Sequence, residues 1–262
     1  MFIIGERVNG MFADVKKAIQ TKDKGPVQEQ ALRQVEAGAN ALDINVGPAT
    51  TDKEGAMVWL VETVREVTDI TLSVDTAKYE AMKAGLEAAG GSLILNSTKG
   101  DDKSMDLYLP LAKEHDASVI ILNIDERGVP SDVDGRVEIA IKGLAKAMEY
   151  EMDIDKVIID PIVLPVNVAQ PQAGTVMQAL NEIRKLSEPS PHLVVGLSNI
   201  SQRCSNNELI NRIFIAMCIA NGLDMAIADA TDKNLMNAMI TAELLMNKSI
   251  YCDSFLEAYF SK

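Results

Sequence analysis

Leu193-Val194-Val195-Gly196-Leu197-Ser198-Asn199, followed by Ile200-Ser201-Gln202-Arg203, is the stretch on which the fold is decided. A short apolar, β-branched run breaks at a glycine and ends in Ser and Asn, which reads as a buried strand whose carboxyl end turns abruptly polar. The pattern returns along the chain. Strands are expected at 2–8, 41–46, 70–75, 92–96, 117–123, 157–161, 193–197 and 225–229. Their polar exits read Glu6, Asn45, Asp75, Asn96, Asn123, Asp160, Ser198 with Asn199, and Asp229. The run at 117–123 (ASVIILN) is almost wholly apolar, so both faces of that strand need covering.

Between these runs the apolar spacing becomes helical, over 13–20, 25–35, 53–67, 77–89, 103–115, 133–151, 173–186, 207–220 and about 233–258. Pro26 sits just inside the start of one helix and Gly38 just past its end, the asymmetry that helices prefer. Strands alternating with helices over about 250 residues imply an α/β fold, a single (β/α)8 TIM barrel spanning residues 1–262 as one domain. A doubly wound open sheet is the competitor, but the chain has no G-x-G-x-x-G and no composition break.

A net charge of −13 argues against nucleic-acid binding, because a phosphate backbone requires concentrated Lys and Arg. Cys204, Cys218 and Cys252 are too scattered for a disulfide framework or a zinc ribbon, which fits a cytoplasmic protein. The first residues lack a basic stretch and a long apolar core, and no apolar run is long enough to span a bilayer, so neither secretion nor membrane insertion is expected.

In such a barrel the strand exits converge on one face, where active sites lie. Asp and Asn are also common there as helix caps, so the set carries more weight than any single member. The two histidines, His115 and His192, fall near a helix end and on the opposite face, which weakens Ser-His-Asp, Cys-His and zinc chemistry. Cys204 reads as a packed thiol. What remains is a group of neutral amides with a few carboxylates. Asp75 and Asp160, nearly across the barrel from each other, suit a flat heterocycle with several N–H donors, such as the 2-amino and N3 edge of a pterin. Asn96 and Asn199 suit its ring nitrogens and oxo group. Two rivals use the same residues: an aspartate pair of a glycosidase, and a magnesium site from Asp43, Asp75 and Asp160. A lone tryptophan, Trp59, within a helix counts against a sugar platform.

The motifs Gly5-Glu6-Arg7-Val8-Asn9-Gly10, Leu42-Asp43-Ile44-Asn45-Val46-Gly47, Val74-Asp75-Thr76, Leu95-Asn96-Ser97-Thr98, Asp160-Pro161 and Gly196-Leu197-Ser198-Asn199 stand in order along essentially the whole chain. Together they resemble the pterin-binding family, and within it the methyltetrahydrofolate:corrinoid protein methyltransferases. The resemblance implies a TIM barrel, usually a homodimer, that exchanges the N5 methyl of methyltetrahydrofolate with the cobalt of a corrinoid (cobalamin) carried by a separate partner protein. Tetrahydrofolate is then a substrate, and no bound metal is expected.

The resemblance assigns Asp75, Asn96 and Asp160 to the pterin, with Gly196, Ser198 and Gln202 beside it, and Asn199 to N5. Asn199, Asp75 and Asp160 are the expected catalytic residues. Gly196 is expected to let the pterin approach the backbone. Glu6, Asn9, Asn123, Arg203 and Asn207 are further candidates. Relatives from acetogens carry an arginine where this chain has Asn207, and Arg203 stands four residues earlier. Dihydropteroate synthases share the fold, but their lysine after strand seven and Arg-x-His at strand eight are replaced by Ile200-Ser201-Gln202 and Asp229-Ala230-Thr231. A non-catalytic pterin binder is the other alternative. The Met-rich segment 234–247 reads as core or dimer packing rather than a docking surface, with Leu235, Met239 and Leu245 at helical spacing.

Overall fold

Strands of four to seven residues cannot stand alone, and in the computed structural model, which describes residues 1–251, they close on one another. β1 (Phe2–Gly5), β2 (Ala41–Asn45), β3 (Thr71–Asp75), β4 (Leu93–Lys99), β5 (Ser118–Leu122), β6 (Val157–Asp160), β7 (His192–Gly196) and β8 (Met225–Ala228) pair in sequence order, and β1 pairs β8. Every pairing is parallel. The connections carry α1 (Ala13–Thr21), α2 (Lys24–Glu36), α3 (Lys53–Arg65), α4 (Tyr79–Ala89), α5 (Asp102–Glu114), α6 (Val133–Glu149), α7 (Val166–Ala169), α8 (Gln172–Ile183), α9 (Asn207–Ala220) and α10 (Lys233–Leu245). Asp23, Asp52, Asp101, Asp132 and Asp232 cap five of these helices, each accepting a backbone N–H of the first turn.

The two-residue period of the strands sorts the core into two layers. Ile4, Ala41, Ile94, Ile120, Ile158, Val194 and Met225 fill the barrel with Phe2, Leu122 and Ile227. Their outward neighbours, among them Ile3, Leu42, Ile44, Val74, Leu95, Val119, Ile121, Ile159 and Val195, pack against the helices. Each such side chain contributes roughly 1.5–3 kcal/mol, so a one-residue slip of any strand would forfeit several at once. The register is therefore fixed by burial. Gly85 lets α4 lie close to this layer, since a Cβ there would stand 2.8 Å from both Met57 Cγ and Val74 Cγ1.

Several boundaries differ from expectation; β1, expected to residue 8, stops at Gly5, and some helices are shorter by a turn or less. β4 continues to Lys99 because its pairing with β5 shifts register between Asn96 and Thr98 and then resumes. The loop after β6 holds the short α7. α10 stops at Leu245, where Asn247 turns left-handed (φ 57°) and the N–H groups of Asn247 and Lys248 cap the carbonyls of Leu244 and Glu243. The rest of the helix expected to 258 and Cys252 lie outside the described residues. Leu235 and Met239 are buried as their spacing predicts, whereas Leu245 is exposed. Among the described residues no helix is long and apolar enough to cross a membrane.

Candidate active site

Because Ile4, Ala41, Ile94, Ile158, Val194 and Ile227 face the axis, the residues two positions on face the mouth: Glu6, Asp43, Asn96, Asp160, Gly196 and Asp229. Asn45, Asp75 and Asn96 lie side by side in register across β2, β3 and β4. Below them the axis-facing layer on β2 and β3 is polar as well. Asp43 is buried and accepts from Ser73 Oγ (2.9 Å) and Asn96 Nδ2 (3.0 Å). Burial and the neighbouring Asp75 push Asp43 well above the ordinary carboxylate range, while a hydrogen bond with Asp43 works to lower Asp75. Asp75 is also raised by burial and is held by Asn45 Nδ2, while Asn45 Oδ1 takes Gly47 N–H (2.6 Å). Asn96 thus spends its NH2 on Asp43 and keeps its carbonyl oxygen free of any protein donor among the described residues. Among the described residues no three acidic, His or Cys side chains group as a metal site, and Asp43 is already engaged by Ser73 and Asn96.

Across the barrel, Asp160 is raised to about 6, chiefly by burial and only partly offset by Ile162 N–H on Oδ1 (2.7 Å) and by the charge of Arg136. Its second oxygen has no protein partner among the described residues. Arg136, which sequence reasoning missed, donates from α6 to the carbonyls of Pro161, Ile162 (2.8 Å) and Pro130 (3.2 Å) and to Gln172 Oε1 (2.6 Å). A signal existed: it is the one charged residue on the buried stripe of α6 with Ile139, Ala140, Gly143, Leu144 and Ala147.

Asn123 is not brought to the mouth. It follows the axis-facing Leu122, so it points outward, fully buried, with Nδ2 on Arg136 O (2.9 Å). Asn9 bridges Asn45 through the backbone and turns its own Oδ1 onto Met11 N–H (2.9 Å).

The opening stretch supplies the remaining wall. After Gly196 the chain makes a 3-10 turn, Leu197–Ser201, in which Leu197 and Ile200 are buried and Ser198 and Asn199 are exposed. Asn199 makes no side-chain hydrogen bond within the described protein, and its Nδ2 lies only 2.9 Å from where a Cβ on Gly196 would stand. The glycine therefore makes room for the Asn199 amide itself, a closer reason for it than the approach of a ligand. Ser198 Oγ donates to Glu6 (3.1 Å), whose carboxyl is raised to about 7 by burial, with Asp229 adding to the shift. Asp229 is already engaged by Gln34 Nε2 (2.6 Å) and by the N–H and hydroxyl of Thr231. A cleft of about 560 Å³ opens here, lined by Glu6, Ser198, Asn207, Asp229 and Lys233 among others. Asn207 starts α9 and Gln202 and Arg203 are exposed, Arg203 in a left-handed conformation. His192, by contrast, pairs with Asp224 at the amino-terminal end of β7, far along the strand from this face.

The family model described as pterin binding enzyme matches residues 9–229. A methylcorrinoid:tetrahydrofolate methyltransferase of Eubacterium limosum is 28% identical over 261 residues, spanning 99% of this chain and 96% of that protein. A methionine synthase of Mycobacterium tuberculosis is 26% identical over 90% of this chain, which spans 21% of that much longer protein. Among solved structures, dihydropteroate synthase of Xanthomonas albilineans with 7,8-dihydropteroate matches with a TM-score of 0.65 at 19% identity, covering 95% of this chain and 94% of that one. The Yersinia pestis enzyme in a sulfonamide complex reaches 0.71 at 14% identity, covering 95% and 94%. At such identities the likeness is one of fold alone.

Proposed function

We propose, for a chain that belongs to the pterin binding enzyme family, that it moves a methyl group between N5 of tetrahydrofolate and the cobalt of a corrinoid carried by a partner protein. The observation that carries this is the match to the Eubacterium limosum methyltransferase over 99% of this chain and 96% of that protein. That relative's name places the methyl on the corrinoid first. The same site serves either direction, since a catalyst lowers the barrier both ways.

The chain's residues divide the work. Asp160 offers its open oxygen, and Asp75 a carboxylate hydrogen-bonded with Asp43, to the N–H donors of the pterin. Asn96 offers a carbonyl oxygen. Asn199 presents to N5 a side-chain amide with no protein partner of its own among the described residues. A tertiary amine is a poor leaving group, and a hydrogen bond that strengthens as N5 departs lowers the barrier. Asn199 has no mobile proton, so its part is to stabilise an N5–H that arrives from solvent. Gln202, Arg203 and Asn207, at the rim, are placed to meet the rest of the folate or the corrinoid protein. A dihydropteroate synthase reading is disfavoured where Ile200-Ser201-Gln202 and the internally engaged Asp229 replace that enzyme's basic residues.

The test mixes the protein with methyltetrahydrofolate and reduced cobalamin and follows Co(I) absorbance. Loss of the Co(I) signal at a rate proportional to protein is expected. Folate binding without any loss of Co(I) between pH 5 and 8 would leave only a pterin carrier.

The homodimer part of the proposal has a surface to support it. Between Asp160 and Glu182, and between Arg212 and Asp224, no residue is charged, in a chain where 24% of residues are. These stretches meet in a groove of about 350 Å³ whose rim includes the exposed Leu209, Ile213 and Met217, over Met177 and Phe214. Two copies carrying −13 each repel one another wherever charge is exposed, and homodimer faces are poor in charge. Wild type should sediment as a dimer at micromolar concentration and Ile213→Lys as a folded monomer. A monomeric wild type ends this part of the proposal. A cytoplasmic location is proposed with it, on the unpaired thiols of Cys204 and Cys218.

A further inference from the structure

Arg136 is fully buried, yet among the described residues no carboxylate contacts its guanidinium; its four acceptors there are all neutral. A buried cation with neutral partners is expensive, so a role beyond filling space is called for. Two of the acceptors are the successive carbonyls of Pro161 and Ile162, immediately after Asp160. Ile162 is a β-branched residue held at φ 62°, a conformation such side chains avoid. In that conformation its N–H turns back onto Asp160 Oδ1 at 2.7 Å. The scaffold continues below: Asn123 Nδ2 grips Arg136 O, and Asn123 N–H donates to Asp160 O (2.8 Å).

We infer that Arg136 is a positioning residue for the pterin site, locking the Pro161–Ile162 turn so that the Asp160 carboxylate is aimed at its ligand. The inference rests on the reading of Asp160 as a pterin carboxylate. The charges around this pair are few. Besides each other, Asp160 and Arg136 feel Asp132 at the start of α6, while Gln172 on α8 and Asn123 at the end of β5 are neutral. The cation favours the ionised form of Asp160 against the penalty of burial. Removing it therefore raises the pH at which Asp160 becomes a competent acceptor.

The experiment measures tetrahydrofolate affinity of the full chain from pH 5 to 8.5 by calorimetry. Arg136→Met should bind at least tenfold more weakly at pH 7.5, with the midpoint of its affinity–pH curve about one unit above wild type. Arg136→Lys keeps the charge but cannot grip both carbonyls, so its midpoint stays put while affinity falls several-fold. Adding Arg136→Met to Asp160→Asn should cost nothing further, since the two act through one group. A purely structural arginine predicts lower stability in both variants with wild-type affinity and midpoint in the folded protein, and that result would overturn the inference. If Arg136→Met does not fold, the Lys variant decides alone: wild-type affinity there is equally fatal. If Asp160→Asn itself binds tetrahydrofolate normally, the pterin reading of Asp160 fails first and takes this inference with it.

Discussion

Asp160→Asn is expected to lower tetrahydrofolate affinity by roughly 10²–10³ at pH 7.5 while raising the melting temperature of the ligand-free protein. The affinity loss follows from the open oxygen of Asp160, which loses its charge and acquires an NH2 that faces the pterin's own N–H donors. Two hydrogen bonds to a charged acceptor are worth about 1.5–3 kcal/mol each, and the substitution forfeits most of both. The stability gain has the opposite origin. Asp160 sits near pKa 6 when folded and about 3.9 when unfolded, because burial disfavours its charge. An acid raised in this way contributes stability that is fully present below the unfolded value and lost as pH climbs through the folded one. At pH 7.5 the folded protein therefore bears a penalty on the order of 3 kcal/mol that asparagine, still able to accept from Ile162 N–H, does not. For a chain of this size that is several degrees in Tm. Calorimetry at pH 4 and pH 8 separates the effects: the gain should be large at pH 8 and small at pH 4. An unchanged affinity, or a Tm that falls at pH 8, would contradict the assignment.

The same sign applies to Glu6, raised to about 7 by burial. Wild-type stability should fall as pH rises from about 4.5 to 7, and Glu6→Gln should flatten that part of the curve, as thermal melts across the range will register. A site that gathers Glu6, Asp43, Asp75 and Asp160 at one barrel mouth is thus a place where stability is given up for function.

What the sequence made legible was whatever repeats. Eight apolar runs with polar exits announce the barrel, because each strand must be buried on two faces and open at one end. The helix starting at Asn207 ends at Ala220 as its spacing predicts. The exit residues became a candidate site for the same reason, and the two-residue period carries Glu6, Asn96 and Asp160 to the mouth. Asn123 shows the limit. At a strand exit a single step of parity decides between cup and helix layer, and β5 ends on the axis-facing Leu122 rather than on Asn123. Asp43 and Ser73 lie one layer below the exits, so reading only the exits missed the hydrogen bonds that tie Asp43 to Ser73 and Asn96. Arg136 left only the trace of a charge on the buried stripe of α6, because its partners, three backbone carbonyls and Gln172, are brought to it by loops and by α8, and no spacing along the chain records that meeting.

Asn199→Ala should leave tetrahydrofolate affinity within a few-fold of wild type and lower the methyl-transfer rate by about 10²–10³, the loss typical of one polar group aimed at the atom whose charge changes. The division between binding and rate follows from geometry. Asp75, Asn96 and Asp160, proposed to hold the ring, are already fixed by protein partners, whereas the Asn199 side chain has none among the described residues and is placed by its backbone alone. That backbone is a 3-10 turn pinned by buried Leu197 and Ile200, so the Cα–Cβ direction of Asn199 is set before any substrate arrives. Gly196→Ala tests the same idea from beneath. Its Cβ would stand 2.9 Å from Asn199 Nδ2, closer than such atoms pack, so the amide must move by a few tenths of an ångström. The rate should then fall about tenfold or more with affinity again nearly intact, because misplacing a group at the reacting centre costs rate before binding. Stopped-flow Co(I) absorbance at saturating methyltetrahydrofolate isolates the transfer step from binding. Because Asn199 carries no titrating proton, the shape of the pH–rate profile should survive its removal while the height drops. A rate that holds in both variants, or an affinity that collapses with it, would show that Asn199 serves the pterin ring and not the nitrogen that exchanges the methyl group.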